Sequence, residues 1–410
     1  MKLQIDLRDD TFRADPYPVY SALRDQAPVY WSEQMGYWLI TRYEDVASLL
    51  RASDTCTSDS FWDRPISRHD PSDADEAYVV NSFSTAMVFH DPPVHTVQRR
   101  TVSKAFTPTR IAERRHQAEF IARTLLDEAR RRGTFDFMAD FAAPLPILMI
   151  ADLLGIPVDD RAQVREASDQ FASLFEPMLS AEDRRDALHE SAGLARYLDD
   201  IVAQRRSSPR DDLISALVAL EDQEGGLSEM ELRAMLLHLL VAGNETTTAL
   251  LAHTFVELDR NAPLRARLGA STELIPSAVE EALRFEAPIQ FLTRQTTRPL
   301  ELHSETIPES SLVSLVLGSA NRDPARFDSP DTFVPERTDN DHVSFGWGRH
   351  FCIGAPLSRL EAEVAIRLLT GEYSDIRRSD EAAIRKPDQL IRSYQTLPVV
   401  AGKATPKVAR

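Results

Sequence analysis

The sequence has little of what several classes of protein require. Its 410 residues include only two cysteines, Cys56 and Cys352, which lie far apart and form no paired-cysteine motif. This usage argues against a disulfide framework and is typical of a reducing cytoplasm. Basic residues number 47 against 64 acidic ones, so the formal net charge is −17. Because nucleic-acid phosphates require a basic surface, we expect no nucleic-acid partner.

Long apolar runs are also missing. The first ten residues contain no apolar stretch able to serve as a signal sequence or anchor, and no later window reaches the ~20 apolar residues of a membrane span. No internal repeat and no clear linker divides the chain. We therefore expect a soluble, cytoplasmic protein with no membrane partner, folded as a single domain over residues 1–410.

The hydrophobic pattern predicts mostly helix with a small strand region. Val29–Trp31 and Tyr37–Thr41 predict a β-hairpin, and the period becomes helical from about 42 to 51. Residues 53–91 are polar and weakly periodic, which is typical of a long functional or mobile loop. Helical patterning dominates from 95 to about 206. The remaining assignments are helices at 276–287 and 355–369, strands at 290–296, 300–303, 312–317 and 397–400, and an irregular stretch at 321–342.

The most informative helix is predicted to begin at Ser228. Ser228 and Glu231 have the spacing of a capping box, and the apolar pattern that follows implies about 30 residues and a length of roughly 45 Å. Because it is apolar nearly all round, this helix should cross the interior. Its middle, Ala242–Thr248, instead contains a glycine, an acid and three threonines. A packing kink would explain this pattern, but broken local rules inside a consistent element often mark a functional site.

The strongest chemical signal surrounds Cys352. It lies in Phe345–Gly354, with glycines on both sides and a predicted helix directly after it. Glycines allow close approach of a flat cofactor, and backbone N–H groups with the positive helix end favour a thiolate, a soft metal ligand. Two alternatives stay open at this point. One is a buried structural cysteine, our interpretation of Cys56, and the other is a zinc site with His342 and His350 that lacks an evident fourth ligand.

The segment around Cys352 resembles the heme-binding signature of the cytochrome P-450 family, Phe-Gly-x-Gly-x-His-x-Cys-x-Gly, at every defined position. The resemblance extends along the chain in the right order. Ala242–Thr247 is similar to the family's oxygen-activating segment, Glu281–Arg284 to its Glu-x-x-Arg motif, and Arg337 to the arginine that completes that cluster. Asp91–Arg99 and Asp15–Pro18 resemble the bacterial soluble members.

The resemblance implies the family's triangular-prism fold, mainly α with a smaller β-rich lobe. It implies heme b as cofactor, with Cys352 as the axial thiolate and metal ligand. The implied enzyme is a monooxygenase that inserts one atom of O2 into a lipophilic small molecule by hydroxylation or epoxidation. Its electrons would come from NAD(P)H through a ferredoxin and its reductase. A peroxygenase that uses hydrogen peroxide, and a non-catalytic heme sensor or silent relative, are the alternatives.

The same resemblance implies the residues of the site. Thr246 is expected to donate a proton to dioxygen in the pocket, and Glu245, pointing elsewhere, to connect it with bulk water. Four polar residues are expected to contact the heme propionates, because guanidinium groups suit carboxylates; without a heme, the first two would form a solvated stripe. These four are His95, Arg99, Arg294 and His350. The full set predicted to bind the cofactor adds Ala242, Gly243, Phe345, Gly346, Cys352 and Gly354.

Glu281, Arg284 and Arg337 are interpreted as a buried structural cluster. The alternatives are an exposed salt bridge between Glu281 and Arg284, or an equivalent pair formed by Glu280. Two departures from the family pattern affect turns: Ser310 and Ser393 stand where glycines are usual. The residues predicted to line the substrate pocket are Val88, Phe175, Ile289, Phe291, Leu292 and Tyr394.

A local basic patch is predicted despite the acidic composition. Arg100 and Lys104 lie one helical turn apart beside Arg99, and Arg359 follows the heme segment. Such a patch would steer an acidic ferredoxin toward the heme, although ordinary surface charges would give the same pattern.

Overall fold

Helices with one apolar face account for most of the chain in the computed structural model, which describes residues 5–6, 9–52, 54–104, 106–176, 179–221 and 226–402. Parts of two segments interpreted above, the first ten residues and the stretch from Ser53, lie outside these ranges. Helices of this kind bury their apolar stripes against one another. The helices are α1 (Asp10–Ala14), α2 (Tyr17–Gln26), α3 (Tyr43–Arg51), α4 (Ala74–Phe83), α5 (Val94–Ser103), α6 (Pro108–Glu113), α7 (Arg115–Arg132), α8 (Pro144–Leu154), α9 (Arg161–Ser173), α10 (Ala181–Ser207), α11 (Leu213–Val218), α12 (Glu229–Arg260), α13 (Ala262–Ala270), α14 (Ile275–Phe285), α15 (Leu317–Ala320) and α16 (Ala355–Thr370).

Short strands form small sheets at the edge of the helical body. The largest has the order β1-β2-β8-β5-β3, in which β2 and β8 run parallel and the other neighbours antiparallel. The others are β4-β12-β9, β10-β11 and β6-β7. The strands are β1 (Val29–Ser32), β2 (Tyr37–Ile40), β3 (Cys56–Thr57), β4 (Thr134–Asp136), β5 (Phe291–Thr296), β6 (Leu300–Leu302), β7 (Glu305–Ile307), β8 (Leu312–Val316), β9 (Ile376–Arg378), β10 (Ile384–Arg385), β11 (Tyr394–Thr396) and β12 (Pro398–Ala401).

The central helix α12 crosses the core, as its apolar pattern predicts. The Ser228 hydroxyl accepts a hydrogen bond from the Glu231 N–H, and the Glu231 carboxylate accepts one from the Ser228 N–H at 2.9 Å, so the capping box is formed. The helix packs against α4, α8, α9 and α16. By length and composition it is apolar enough to span a membrane, but 78% of its most apolar window is buried inside the protein. This burial accounts for its composition.

The polar stretch over 53–91 is more ordered than expected. It contains α4, whose N-cap Asp73 accepts hydrogen bonds from the N–H groups of Asp75 and Glu76, and several single-turn helices. Phe83 and Phe89 belong to the main hydrophobic core. The loop prediction was wrong here because the burial of isolated aromatic side chains, rather than a periodic stripe, stabilises these short elements. Strands of two or three residues, such as β3 and β10, are too short for a period to be visible.

Candidate functional site

A cavity of about 340 Å³ lies between α12, α16 and the β5 region. Its walls are mostly apolar, as is usual for small-molecule sites. It gathers residues that lie far apart in the sequence. The predicted site residues that line it are Val88, His95, Arg99, Phe175, Ala242, Gly243, Thr246, Ile289, Phe291, Leu292, Arg294, Phe345, Gly346, His350, Cys352 and Gly354.

Cys352 reaches the cavity from a tight turn just before α16. The Cys352 N–H donates to the carbonyl of Phe345 at 2.9 Å, which closes the turn. Gly346 and Gly348 have φ angles of 67° and 69°, which L-residues with side chains rarely adopt. A Cβ on Gly348 would also lie 3.1 Å from the carbonyl of Leu50. These two positions therefore require glycine, and the turn fixes where the sulfur points.

The environment of the Cys352 thiol is more balanced than the sequence suggested. Burial raises the pKa of Cys352, while the N–H groups of Gly354 and Ala355 and the guanidinium groups of Arg99 and Arg359 oppose that rise. With these protein groups alone, the thiol form of Cys352 stays favoured. A cation facing the sulfur is needed to complete the stabilisation of a thiolate. Cys56 lies in β3, outside the cavity lining, and burial raises its pKa to about 11.

The zinc alternative is wrong in geometry. His342 Nε2 lies 3.2 Å from the Glu280 carboxylate, and His350 Nε2 lies 3.5 Å from that of Asp91. Within the described ranges, the one group of His, Cys, Asp and Glu side chains close enough to share a metal ion is Asp73, Glu76 and His189, which does not include Cys352.

His95, Arg99 and Arg294 line the cavity and have no acidic partner in ion-pair distance among the described residues. Neither ring nitrogen of His95 has a hydrogen-bond partner among the residues that the structure describes, although the side chain is buried. Within the described part of the chain, the Arg99 side chain makes no hydrogen bond or ion pair, and Arg294 donates only to the carbonyl of Thr293, at 2.8 Å. Buried donors without partners are costly, so the cavity is suited to an anionic group. The two propionates of heme b fit this donor set.

His350 is held in place by a residue to which the sequence assigned no role. Asp91 accepts a hydrogen bond from the Thr57 hydroxyl at 2.6 Å and lies beside His350 and Arg349. Burial opposes ionisation of Asp91, but the nearby His350, the hydrogen bond from Thr57 and the charge of Arg349 hold its pKa below the usual range. Burial also lowers the pKa of His95 to about 4, so its imidazole is neutral at physiological pH. Asp91 belongs to the motif Asp91–Arg99, but the sequence did not show that it lies beside His350.

One face of α12 presents small and hydroxyl-bearing residues to the cavity. Ala242, Gly243 and Thr246 line it, and the Thr246 hydroxyl donates to the carbonyl of Ala242 at 2.8 Å. A Cβ on Gly243 would meet Ile150 at 3.8 Å, which is ordinary contact. Space alone therefore does not require glycine at this position.

Glu245 lies on another face of α12, outside the cavity lining. Its carboxylate accepts a hydrogen bond from Lys386 Nζ at 2.5 Å, and burial raises its pKa against the effect of that lysine. Next to it, Asn244 donates to Asp169 at 3.1 Å. No signal in the sequence pointed to Lys386 or Asp169, because both belong to distant segments that only the fold brings to α12.

Three comparisons with known proteins agree with this geometry. The sequence model of the family "Cytochrome P-450" matches residues 65–374. Cytochrome P-450 123 of Mycobacterium tuberculosis is 38% identical over 97% of both chains, and 6-deoxyerythronolide B hydroxylase of Saccharopolyspora erythraea is 36% identical over 96% of this chain and 98% of its own. The chain belongs to the cytochrome P-450 family. Among solved structures, P-450BioI in complex with an acyl carrier protein bearing hexadec-9Z-enoic acid superposes with a TM-score of 0.88 at 29% identity, covering 96% of this chain and 99% of the other.

Membership of the family confirms the predicted P-450 fold, the monooxygenase class and the cofactor. The protein is a cytochrome P-450 monooxygenase that uses heme b with an axial cysteine thiolate, O2, a lipophilic substrate and redox partners. Of its two cysteines, only Cys352 lines the cavity.

The Glu281 cluster lies outside the cavity of this P-450 and joins α14 to the irregular stretch that follows α15. Glu281 and Arg284 are fully buried and share two hydrogen bonds of 2.8 Å, and Arg337 Nε donates to Glu281 at 3.2 Å. The exposed alternative is therefore wrong. So is the alternative pair with Glu280, whose carboxylate accepts two hydrogen bonds of 2.7 Å from Arg359.

Tyr394 was wrongly predicted to line the substrate pocket. It lies in β11, outside the cavity lining, where Arg385 stacks 3.9 Å from its ring centroid. Of the two turn departures, Ser310 adopts the left-handed φ of 62° that glycine would take. Ser393 follows Arg392, which donates to Glu286 and to the carbonyls of Arg13 and Ala14. Several polar side chains that line the cavity were not named as site residues: Tyr37, Arg64, His238, Thr247, Thr293, Ser344, Ser358 and the buried acid Glu361.

Proposed function

We propose that this P-450 hydroxylates or epoxidises a lipophilic small molecule in the cytoplasm, as a single domain supplied with electrons by a ferredoxin and its reductase. The observation that carries the proposal is the apolar cavity with Cys352 on one wall and Thr246 on another. Relatives support the lipophilic class: one is named as a hydroxylase of 6-deoxyerythronolide B, and P-450BioI is described with a hexadecenoic acid on its acyl carrier protein. The acidic composition argues against nucleic acid as a partner.

Some residues of the cavity bind the cofactor, and others take part in the oxygen chemistry. Heme b, when bound, supplies the redox chemistry that activates O2. Cys352 would supply the thiolate that holds the iron, and Arg99 and Arg294 would hold the propionates with charge-assisted hydrogen bonds. His95 would donate from its buried ring, and Asp91 lies beside His350, which would serve the same task. Apolar residues around them exclude water.

Proton delivery requires two residues of α12 to change partners. The Thr246 hydroxyl can release the carbonyl of Ala242 and turn toward the cavity, because hydroxyl rotation is cheap. Glu245 can exchange protons with bulk water only when its bond to Lys386 opens. Lys386 therefore holds the Glu245 carboxylate away from the cavity between turnovers. When this hydrogen bond opens, Glu245 connects the cavity to solvent.

The basic patch proposed for ferredoxin docking is smaller than the sequence suggested. Arg100 and Lys104 are exposed and have no ion pair among the described residues. The charge of Arg359 is compensated by Glu280, so it does not belong to the patch. Reversal of both Arg100 and Lys104 to glutamate should lower the rate of reduction by an acidic ferredoxin several-fold, and this loss should shrink as salt rises.

Reconstitution tests the proposal. Lipophilic compounds are first screened for those that shift the Soret band of the heme-loaded protein. A compound that binds is then supplied with NAD(P)H, ferredoxin, reductase and O2, or with hydrogen peroxide alone. We expect oxygenated product only with the complete O2 system. Product with peroxide alone would identify a peroxygenase, and a bound compound that is never oxygenated would identify a sensor or silent relative.

A further inference from the structure

A third arginine lines the cavity apart from the two assigned to the heme. Arg64 follows the short helical turn Phe61–Asp63, and its guanidinium lies 5.2 Å from the ring centroid of Phe89, an aromatic residue of the cavity wall. The side chain stands at the junction of an apolar wall and the β5 strand, since it also donates to the carbonyl of Thr293 at 3.3 Å. It is a cation beside the apolar part of the cavity wall.

Two nitrogens of the Arg64 guanidinium, Nε and Nη2, are hydrogen-bonded to described residues of the protein, and the third, Nη1, is not. Nε and Nη2 donate to the hydroxyl of Ser60 at 3.2 and 3.1 Å, and Nη2 also donates to the carbonyl of Ser58 at 3.3 Å. These acceptors are neutral. Nη1 has no hydrogen-bond partner in the part of the chain that the structure describes, and no carboxylate lies within ion-pair distance of Arg64 there. The protein thus positions the arginine but leaves its charge uncompensated.

The two propionates of heme b do not account for this charge. Arg99 and Arg294 already place two uncompensated guanidinium charges in the cavity, one for each propionate. Arg64 is a third. In a chain with a net charge of −17, a partly buried arginine without an acid in ion-pair distance is a costly arrangement, because withdrawing a charge from water requires a compensating partner.

A second polar group, the Tyr37 hydroxyl, belongs to a residue that lines the same cavity. The Tyr37 hydroxyl, on β2, donates to no acceptor among the described residues, although its ring is buried. Burial raises the pKa of Tyr37, and Arg64, Arg68 and Arg184 oppose this rise, so three cations lie near the hydroxyl. Tyr37 is therefore a neutral donor in a positive field, lining the same cavity as Arg64 and close enough to interact with its charge.

We infer that Arg64 and Tyr37 form a subsite for the carboxylate of the substrate, which makes the substrate class an elongated apolar molecule with one anionic end. Arginine suits this role because its open edge can donate to a carboxylate while the rest of the guanidinium stays fixed. The apolar wall that includes Val88, Phe89 and Phe175 would receive the body of the molecule. The inference rests on the proposed function and narrows its substrate class.

Paired probes of equal chain length test the subsite. Dodecanoic acid and its methyl ester are titrated at pH 8 into the heme-loaded protein, and dissociation constants are taken from the Soret shift. We expect the acid to bind at least tenfold more tightly than the ester. Arg64→Gln should reduce this ratio to within about twofold, Arg64→Lys should keep most of it, and Tyr37→Phe should lower it several-fold. Equal binding of acid and ester by the wild-type protein, or no shift with either, would overturn the inference.

A matched control separates the subsite from general charge. Arg68 is exposed and lies outside the cavity lining, so Arg68→Gln removes the same charge and should leave the ratio above fivefold. Heme transfer to apomyoglobin is measured in parallel, because Arg64 could instead serve a propionate. Faster heme loss in Arg64→Gln with an unchanged acid-to-ester ratio would assign Arg64 to the heme and refute the subsite. If the neutral ester is bound and oxygenated as well as the acid, the proposed function stands and only the subsite fails.

Discussion

The two sides of the cavity are built in different ways. The side that carries Cys352 comes from one continuous segment, Phe345–Gly354, whose turns depend on two glycines and whose end begins α16. The opposite side is assembled from β2, the turn at Arg64, the segment around Phe89, the end of α9 and the middle of α12. Chemistry that is local in sequence can be inferred from a motif. Chemistry that tertiary structure assembles leaves only scattered residues without a common spacing.

Two carboxylates, Glu280 on the Cys352 side and Asp169 beyond α12, have pKa values shifted in opposite directions. Near the Cys352 segment, burial would raise the pKa of Glu280, but Arg359 and His342 outweigh it and lower the pKa to about 2. On the far side of α12, burial and the neighbouring Glu245 raise the pKa of Asp169 to about 6. Cations thus stabilise the charge of Glu280, whereas burial and a neighbouring acid disfavour that of Asp169, beside the proton-handling residues.

The largest expected effect separates the two cysteines. Cys352→Ala should abolish the red-shifted Soret band of the reduced CO complex, because no other thiol lines the cavity. Cys56→Ala is the control: it changes a buried strand residue and should keep the band. Retention of the band in Cys352→Ala, with its loss in Cys56→Ala, would contradict the assignment of the axial ligand.

The next effect concerns heme retention on the Cys352 side. Arg99→Ala should speed heme loss roughly tenfold or more, because a hydrogen bond to a charged group contributes about 1.5–3 kcal/mol. Arg100→Ala is a matched control, since it removes the same charge from the neighbouring, exposed position. Transfer of heme to apomyoglobin measures both rates. Equal rates for the two variants would mean that Arg99 does not hold a propionate.

The contrast between the two sides explains what the sequence could predict. The capping box at Ser228 and the long apolar pattern after it were sufficient to predict α12 and its path through the core. The motif around Cys352 was sufficient for the cofactor. Of the residues predicted for the substrate pocket, Val88, Phe175 and Ile289 line the cavity. Tyr394 does not, because the direction of a side chain on a three-residue strand depends on pairing that the sequence does not display.

Polar partners were the hardest to predict. Glu245 meets Lys386 across 141 positions, and no periodic pattern relates the two. Arg64 stands in a stretch that resembled a loop, so its placement against Phe89 depends on the burial of neighbouring aromatic residues. Ion pairs and subsites of this kind depend on tertiary packing, which a single sequence does not reveal through any periodic pattern.

A smaller effect should come from the α12 face. Thr246→Ala should lower the yield of oxygenated product per NAD(P)H about five- to tenfold and divert electrons to hydrogen peroxide, since the hydroxyl that donates a proton is lost. Heme content and substrate affinity should stay unchanged. Thr246→Ser keeps the hydroxyl and should restore most of the yield. Undiminished yield in Thr246→Ala would instead favour proton delivery assisted by the substrate.

The smallest effect is a dependence of stability on pH that belongs to the far side of α12. The carboxyl of Asp169 faces Glu245, Lys386, Arg165 and Asn244, and its pKa is raised from 3.8 to about 6. The folded protein therefore keeps a proton that the unfolded chain releases, so the contribution of this group is fully present below pH 3.8 and is lost as pH rises to about 6. Relative to Asp169→Asn, the free energy of unfolding of the wild type should fall by about 1 kcal/mol between these limits, after allowance for solvent screening, and stay constant above them. Urea unfolding of both proteins at pH 4, 5, 6 and 7 measures the difference. Parallel curves would show that Asp169 titrates alike in both states, and the electrostatic contrast between the two sides of the cavity would then not extend to this carboxylate.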